Sequence, residues 1–312
     1  HPEASTVLGP ASIMGGLAFE PADRIFVFEG SGSGDFRFPL PTSLGASTFL
    51  FRQQYSLIFD DLLEFSPLET PVSSTTSFTG SVDFAGGLQI GGTQIPDLLV
   101  EHAGAGEIHI SQLEMVPQNE GLDNTSLVIR GSGLLKLEKV ISQIGNDFVL
   151  WPVGLENTLG TLQLGVPGEL LRLYGNLVNS GIVELNGPVV LATEGLFFDN
   201  GLDNSGTVNI GDFDFTFSSS NVLHSSEGNW QAGSGRMLIE SGITMTGSGD
   251  FPAVDVIGSS NTLPSTAYIG DLRVMPQATL TLSGSDPIAI QGDLIIESAT
   301  MAIPGGPDLS IQ

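Results

Sequence analysis

Hydrophobic and polar residues alternate with a period of two along much of the chain. The clearest examples are short segments bounded by glycine or amide residues: 35–38 (DFRF), 107–110 (EIHI), 161–164 (TLQL), 182–185 (IVEL), 207–210 (TVNI) and 279–282 (TLTL). Because successive side chains of a strand point to opposite faces, this alternation predicts strands with one buried face. Residues 132–144 (SGLLKLEKVISQI) fit a helical period, and their alternating LLKLEKV fits a strand as well. The sequence therefore predicts an all-β fold.

A sequence repeat accompanies the predicted strands. Each copy has glycine, leucine, an acidic residue and asparagine, followed by a short alternating segment that ends in glycine. Copies begin at Gly121, Gly154 and Gly201, and looser copies begin at Gly175, Gly270 and Gly292. Within these groups, neighbouring copies start 21 to 33 residues apart. That spacing is typical of one coil of a β-solenoid, in which "GL(D/E)N" forms a corner before each strand.

A second repeat is Gly-x-Gly followed by alternation. It occurs at Gly32, Gly104, Gly131, Gly233 and Gly247. Glycine accepts positive φ, so we expect these positions to turn tight corners between strands. A phosphate-binding loop is the functional alternative, but no Gly-Lys-Ser/Thr follows and the chain is strongly acidic. The repeat favours corners.

Three longer segments resemble a known class of proteins. Residues 175–187 (GNLVNSGIVELNG), 202–212 (LDNSGTVNIGD) and 278–298 (ATLTLSGSDPIAIQGDLIIES) are similar to the degenerate repeats of bacterial exported right-handed parallel β-helix proteins, including autotransporter passengers and large surface proteins. The resemblance covers residues 101–312. It implies a right-handed parallel β-helix of three short strands per coil, with coils of about 21–33 residues. It also implies export, and often adhesion, matrix or polysaccharide-related work.

The first hundred residues are less regular. Proline-rich and Ser/Thr-rich stretches at 39–47 and 66–77 separate apolar segments that read as strands. An open terminal coil would expose unpaired backbone groups and an apolar core, so a solenoid needs a covered end. We therefore predict an irregular β-rich N-terminal cap over residues 1–100, followed by parallel β-helix repeats over 101–312. A separate small β-domain is the alternative for residues 1–100.

Charge and composition limit the classes of molecule that the chain can bind. The chain of 312 residues carries 35 Asp and Glu against 9 Lys and Arg, a net charge of −26. This field repels nucleic acid and anionic membrane surfaces and attracts divalent cations. Cysteine is absent, which excludes disulfides and thiolate metal ligands. No apolar run approaches the roughly 20 residues of a membrane helix. The chain opens at His1, as a mature exported product or a trimmed chain would; with the resemblance, this predicts an extracellular or cell-surface location.

One acidic segment is a candidate calcium site. Oxygen ligands of the kind that Ca²⁺ takes in groups of six to eight cluster in this order: Asp199, Asn200, Asp203, Asn204, Asp212 and Asp214. Neither an EF-hand loop nor the nonapeptide of calcium β-rolls is present. The structural alternative is that the Asx residues turn a corner and stack as ladders, while Asp212 and Asp214 face water beside inward-facing phenylalanines.

Paired carboxylates also raise an enzymatic alternative. A glycosidase needs two carboxylates at a controlled separation, and Asp212 with Asp214, or Asp199 with Asp203, would supply them. Lyases of acidic polysaccharides need cationic side chains, yet the chain has two lysines and seven scattered arginines. An anionic sugar substrate is therefore disfavoured, and a neutral glycan remains.

Histidines give a weaker metal candidate. Glu107 and His109 lie two apart in a predicted strand and share a face, so with His102 they would form a small site. The alternative, which we favour, is a solvated pair on an outer face.

These observations together favour a non-enzymatic extracellular structural or interaction protein. It would be a surface adhesin, matrix component or filament subunit built as a rigid acidic β-solenoid. We expect self-association into a homo-oligomer or filament, or contact with other surface proteins or glycans, through exposed faces and strands. The alternatives are a β-helix glycosidase on neutral glycan and a glycan-binding module. Aromatic platforms for sugar are few, with two tryptophans and three tyrosines.

Overall fold

The computed structural model divides the chain into two compact units, residues 1–163 and residues 164–312. It describes residues 4–7, 17–19, 25–30, 35–38, 42–44, 48–53, 56–59, 63–65, 74–78, 81–92, 97–102, 107–117, 125–131, 133–142, 153–158, 160–174, 176–192, 200–218, 222–264, 268–284, 288–303 and 309–311. None of these residues lies in a helix, so this part of the chain contains no helix able to cross a membrane.

The first unit contains three sheets, and successive strands along the chain belong to different sheets. Sheet 1 has the order β1 (Ala4–Val7), β3 (Ile25–Gly30), β6 (Thr48–Gln53), β9 (Ser74–Phe78), β12 (Asp97–His102), β15 (Thr125–Gly131) and β18 (Val153–Asn157). Sheet 2 has the order β2 (Leu17–Phe19), β5 (Thr42–Leu44), β8 (Leu63–Phe65), β11 (Leu88–Gly92), β14 (Leu113–Pro117) and β17 (Val140–Ser142). Sheet 3 has the order β4 (Asp35–Phe38), β7 (Ser56–Phe59), β10 (Val82–Phe84), β13 (Glu107–Ile110), β16 (Leu134–Leu137) and β19 (Thr161–Leu164).

The second unit is built in the same way. Sheet 4 has the order β20 (Leu171–Tyr174), β23 (Val189–Ala192), β26 (Phe215–Phe217), β29 (Met237–Ile239), β31 (Val254–Val256), β34 (Leu272–Val274) and β37 (Leu294–Ile296). Sheet 5 has the order β21 (Leu177–Asn179), β24 (Asn200–Asn204), β27 (Val222–Ser226), β30 (Ile243–Thr246), β32 (Asn261–Pro264), β35 (Thr279–Ser283) and β38 (Thr300–Ala302). Sheet 6 is β22 (Ile182–Leu185), β25 (Thr207–Gly211) and β28 (Asn229–Ala232), and sheet 7 is β33 (Tyr268–Ile269), β36 (Ile288–Ile290) and β39 (Leu309–Ile311).

Every described strand pair is parallel, and each strand pairs with the strand one coil further on. Paired residues lie between 17 positions apart, as for Met237 and Val254, and 29 positions apart, as for Asp97 and Ser126. A chain that returns to the same sheet after each such interval forms stacked coils. The predicted all-β parallel β-solenoid is therefore confirmed.

The alternating segments form the expected strands with one buried face. All six coincide with strands of the structure: β4, β13, β19, β22, β25 and β35. In β13 the apolar residues Ile108 and Ile110 are fully buried, while Glu107 and His109 are half-buried on the other face. Residues 132–144 contain two strands, β16 and β17, instead of a helix. The core of each unit is the row of inward side chains stacked from coil to coil.

The predicted corner "GL(D/E)N" is a strand end. Gly154 lies within β18 and Gly201 within β24, and only the final asparagine reaches the corner. The copy at Gly121 lies outside the described residues, and Gly154 of the next copy pairs with Ser126. Sequence similarity between the copies therefore does not define the register.

The glycines of the Gly-x-Gly copies at Gly32 and Gly104 lie outside the described residues, and in the copies at Gly233 and Gly247 only one glycine has the predicted cause. Gly247 has the expected positive φ of 107°, but Gly233, Gly235 and Gly249 do not. Close packing requires glycine there instead: a Cβ atom at Gly235 would lie 2.1 Å from the carbonyl oxygen of Phe213 in the preceding coil.

Parallel pairing already begins with β1 and β3, well before residue 100. Along the chain, the first compact unit ends at Gln163 and the second begins at Leu164. The division into a cap over 1–100 and repeats over 101–312 stays a prediction.

Candidate functional site

The strongest candidate site is the acidic turn, residues 212–214 between β25 and β26. Asp212 and Asp214 both lie in it and are exposed. Oδ1 of Asp212 accepts hydrogen bonds from the backbone N–H of Ser234 at 2.9 Å and from its hydroxyl at 3.0 Å. Ser234 is 22 residues further along, one coil on. The backbone N–H and then the hydroxyl of Ser234 stabilise the anion and so lower the pKa of Asp212.

The same arrangement recurs at other turns of the second unit. Oδ1 of Asp214 accepts the backbone N–H of Arg236 at 3.0 Å, and Oδ1 of Asp271 accepts that of Asp293 at 3.0 Å. Both partners are again 22 residues further along. Each carboxylate thus ties one coil to the next by satisfying a backbone donor that the strands leave unpaired. We call these three bonds the carboxylate staples.

Glycine makes room for two of the staples. A Cβ atom at Gly233 would lie 2.4 Å from Oδ1 of Asp212, and one at Gly292 would lie 2.0 Å from Oδ1 of Asp271. These separations are far below van der Waals contact, so a side chain would push the carboxylate away. The acid and the glycine one coil later are therefore required together.

An arginine cluster lies on the outer side of sheet 4. Nε of Arg236 donates a hydrogen bond to Oδ1 of Asp255 at 2.8 Å, and Nη2 lies 2.6 Å from the same oxygen without hydrogen-bond geometry. Nη1 of Arg236 is 3.7 Å from Asp271, and Nη1 of Arg273 is 3.8 Å from Asp255. Asp255 is only 8% exposed. Two of the chain's seven arginines, Arg236 and Arg273, are thus paired with carboxylates.

A buried polar column runs along the corner between sheets 5 and 6. Nδ2 of Asn179 donates to Oδ1 of Asn204 at 2.8 Å, and Nδ2 of Asn204 donates to Oγ of Ser226 at 3.4 Å. All three side chains are fully buried. The predicted stacking of Asx residues is confirmed here, although the side chains point into the coil.

Glycines pack against this column. A Cβ atom at Gly206 would lie 2.1 Å from the carbonyl oxygen of Gly181, and one at Gly228 would lie 2.0 Å from that of Gly206. Successive corners therefore approach one another too closely for any other residue. The pattern "N-x-G" at the corner serves both needs: the asparagine binds the next coil and the glycine allows contact.

A charged row crosses sheet 3 in the first unit. His109 lies between Asp83 and Glu138, with Nδ1 2.8 Å from Asp83 Oδ1 and Nε2 2.9 Å from Glu138 Oε1. Beside it, Nζ of Lys136 is 2.8 Å from Glu107. Burial lowers the pKa of His109, but the two hydrogen bonds and the charges of both carboxylates outweigh burial and raise it. His109 thus links the coil before it, through Asp83, with the coil after it, through Glu138.

The structure describes four of the six predicted ligand side chains, those of Asp203, Asn204, Asp212 and Asp214. Asp199 and the side chain of Asn200 lie outside the described part of the chain. Asp203 is exposed, whereas Asn204 is buried, because adjacent residues of β24 point to opposite faces. Within the described ranges, no group of three or more His, Asp or Glu side chains is arranged to hold a metal ion. Calcium binding stays a prediction.

The histidine candidate has a partial outcome. Glu107 and His109 do share the outer face of β13, as predicted, but each is paired with other charged side chains. The side chain of His102 lies outside the described residues.

Sequence reasoning missed several of these groups. The sequence alone does not indicate a role for Ser226, Asp255 or Asp271, because each contacts a partner 18 to 22 residues away. Trp230, one of the two tryptophans that could form a sugar platform, is buried, and its Nε1–H donates to Ser226 Oγ at 3.0 Å. A search for Asp and Gly spaced by one coil length would have found the staples.

Comparisons with protein-family models, with curated proteins and with solved structures give no significant match.

Proposed function

We propose that this chain is an extracellular structural or interaction protein that acts by contact: a surface adhesin, matrix component or filament subunit. One observation carries the proposal. The carboxylates best placed for chemistry, Asp212 and Asp214, accept backbone N–H groups of the next coil. These two carboxylates therefore stabilise the stacking of the coils. The exposed faces of the solenoid are available to contact a partner.

The electrostatics agree with this role. A general acid for glycoside hydrolysis needs a carboxyl with a raised pKa. Hydrogen bonds from Ser234 lower the pKa of Asp212, which favours the charged form and disfavours the role of a general acid. With a net charge of −26, the exposed faces repel other polyanions and suit neutral or cationic partners, or copies of the chain bridged by divalent cations.

Electron microscopy and sedimentation velocity of the purified chain, with and without calcium, test the proposal. We expect ordered assemblies, or concentration-dependent association that calcium promotes, because cations reduce the repulsion between acidic copies. Magnesium at the same ionic strength is the control for simple screening. A strictly monodisperse monomer in all conditions would count against self-association.

The adhesin form of the proposal needs a separate assay. Binding of the labelled chain to a panel of neutral glycans and bacterial surfaces, scored with no requirement for turnover, would detect it. Absence of binding together with a strictly monomeric state would contradict the whole proposal.

A further inference from the structure

Sheet 5 contains a local irregularity between β24 and β27. Asn200 pairs with Leu223 and Asp203 pairs with Ser225, so two residues of β24 face one residue of β27. This is the arrangement of a β-bulge, which leaves backbone groups without their usual strand partner. The single residue of β27 at this point is His224.

The imidazole of His224 takes the place of the missing strand acceptor. The backbone N–H of Leu202 donates a hydrogen bond to Nδ1 of His224 at 3.1 Å. A ring nitrogen that accepts must be unprotonated, so the neutral ring carries its proton on Nε2. Nε2 is buried and has no hydrogen-bond partner in the described structure.

The ring lies inside the coil among apolar groups. His224 is fully buried, and its ring meets that of Phe217 edge to face, with the centroids 4.7 Å apart. Met245 is its pairing partner in β30. Phe217 also contacts Trp230, with ring centroids 6.3 Å apart. Such surroundings disfavour a charged imidazolium.

No charged side chain in the described structure compensates for burial of the ring. Strands β26, β27 and β30 contain no titratable residue besides His224. The nearest acids along the packed elements are Asp203 of β24, Glu227 after β27 and Asp214 before β26, and all three are exposed. Burial alone lowers the pKa of His224, to about 4.

We infer that His224 is an acid-operated latch that closes sheet 5 at its bulge. In the neutral form, Nδ1 accepts the Leu202 N–H and holds β24 to β27. A proton taken from solvent binds the lone pair of Nδ1. The Nδ1–H of the imidazolium then faces the backbone N–H of Leu202, and two donors cannot form a hydrogen bond. The bond to Leu202 is lost, a buried charge has no partner, and the sheet opens locally between β24 and β27.

The direction of the pH effect follows from linkage. The folded-state pKa of about 4 lies below the ordinary value of 6.5, so the open form binds more protons. The stability of the latch is therefore complete above pH 6.5 and falls as the pH drops toward 4. Between pH 7 and pH 5, the equilibrium for local opening should shift about 20-fold toward the open form.

Amide hydrogen exchange on the full chain tests the latch. Protection of β24 and β27, corrected for intrinsic exchange, is compared at pH 7 and pH 5 for the natural chain and for His224→Asn. The Oδ1 of asparagine can accept the Leu202 N–H without titrating. We expect the natural chain to lose about 20-fold in protection and the variant to lose little. Equal losses in both proteins would overturn the proposal.

A second measurement decides the case if the variant fails to fold. NMR titration of the His224 ring in the natural chain should give a midpoint well below 6, and the protection of Leu202 should fall steadily from pH 6.5 down to that midpoint. A ring that titrates near its ordinary value, or one that titrates low while Leu202 stays protected, would overturn the proposal.

Discussion

Truncation of Asn204 tests the buried polar column most sharply. The change Asn204→Ala removes the acceptor that Asn179 Nδ2 reaches at 2.8 Å and the donor to Ser226 Oγ at 3.4 Å. Asn179 Nδ2 keeps its bond to the carbonyl oxygen of Thr207 at 3.1 Å, so it is not left entirely unpaired.

The magnitude follows from these contacts. One short buried hydrogen bond contributes about 1 kcal/mol net, the longer one contributes less, and the lost packing of a fully buried amide adds to both. We expect the free energy of unfolding to fall by about 2 kcal/mol. For a protein of this size, that corresponds to a drop in Tm of roughly 3 °C.

Urea unfolding at pH 7, followed by circular dichroism, measures the change. Asp203→Ala is the matched control, because Asp203 is the neighbouring residue on the exposed face of the same strand. Its effect should stay within about 0.5 kcal/mol. A double-mutant cycle with Asn179→Ala should give a coupling of about 1 kcal/mol between the two asparagines. A cost for Asn204→Ala no larger than that for Asp203→Ala would refute the polar column.

Three other expectations concern a corner glycine, a carboxylate staple and the hydrogen bonds of His109. Gly228→Ala should cost at least about 2 kcal/mol in urea unfolding, because its Cβ would lie 2.0 Å from a carbonyl oxygen; an unchanged midpoint would show that the coils can separate. Asp212→Asn should keep more stability than Asp212→Ala in the same assay, since an amide oxygen still accepts the Ser234 N–H; equal losses would argue against the staple. His109 has a raised pKa, so the stability it provides is complete below pH 6.5 and is lost as the pH rises through its folded-state pKa. NMR titration of the His109 ring should therefore show a lower midpoint in the Asp83→Asn variant than in the natural chain. An unchanged midpoint would count against the hydrogen bond between Asp83 and His109.

The strands were readable from the sequence because a solenoid core has one inner face. Every second residue of β13 and β25 is apolar and buried, and the residues between them are polar and half-exposed. A strand with one face toward the core imposes this period of two even on such short segments. Fold class therefore follows from local information.

The register did not follow from local information. The "GLDN" motif at Gly121 looks equivalent to "GLEN" at Gly154, yet Ser126 is the residue that pairs with Gly154. Coil lengths vary from 17 to 29 residues, so similar motifs drift out of phase. The pairing of sheets depends on which side chains stack inside, and a single sequence does not contain that information.

The candidate site was only partly readable for the same reason. The acidic character of Asp212 and Asp214 is evident from the sequence, but their partners Ser234 and Arg236 become visible only when the coil length of 22 is known. Carboxylates that accept backbone N–H groups at a turn have the same residue types as carboxylates that bind calcium. The two kinds of carboxylate can be told apart only when the residues that lie beside them in the next coil are known.

The claim that this chain acts by contact is tested most directly by exchanging both staple carboxylates of the acidic turn. The variant Asp212→Asn with Asp214→Asn, and the natural chain, would be assayed for cleavage of a panel of neutral glycans and for assembly by electron microscopy. The account predicts no turnover by either protein and similar assembly by both, because the amide oxygens still accept the N–H groups of the next coil. Glycan cleavage by the natural chain that disappears in the variant would contradict it.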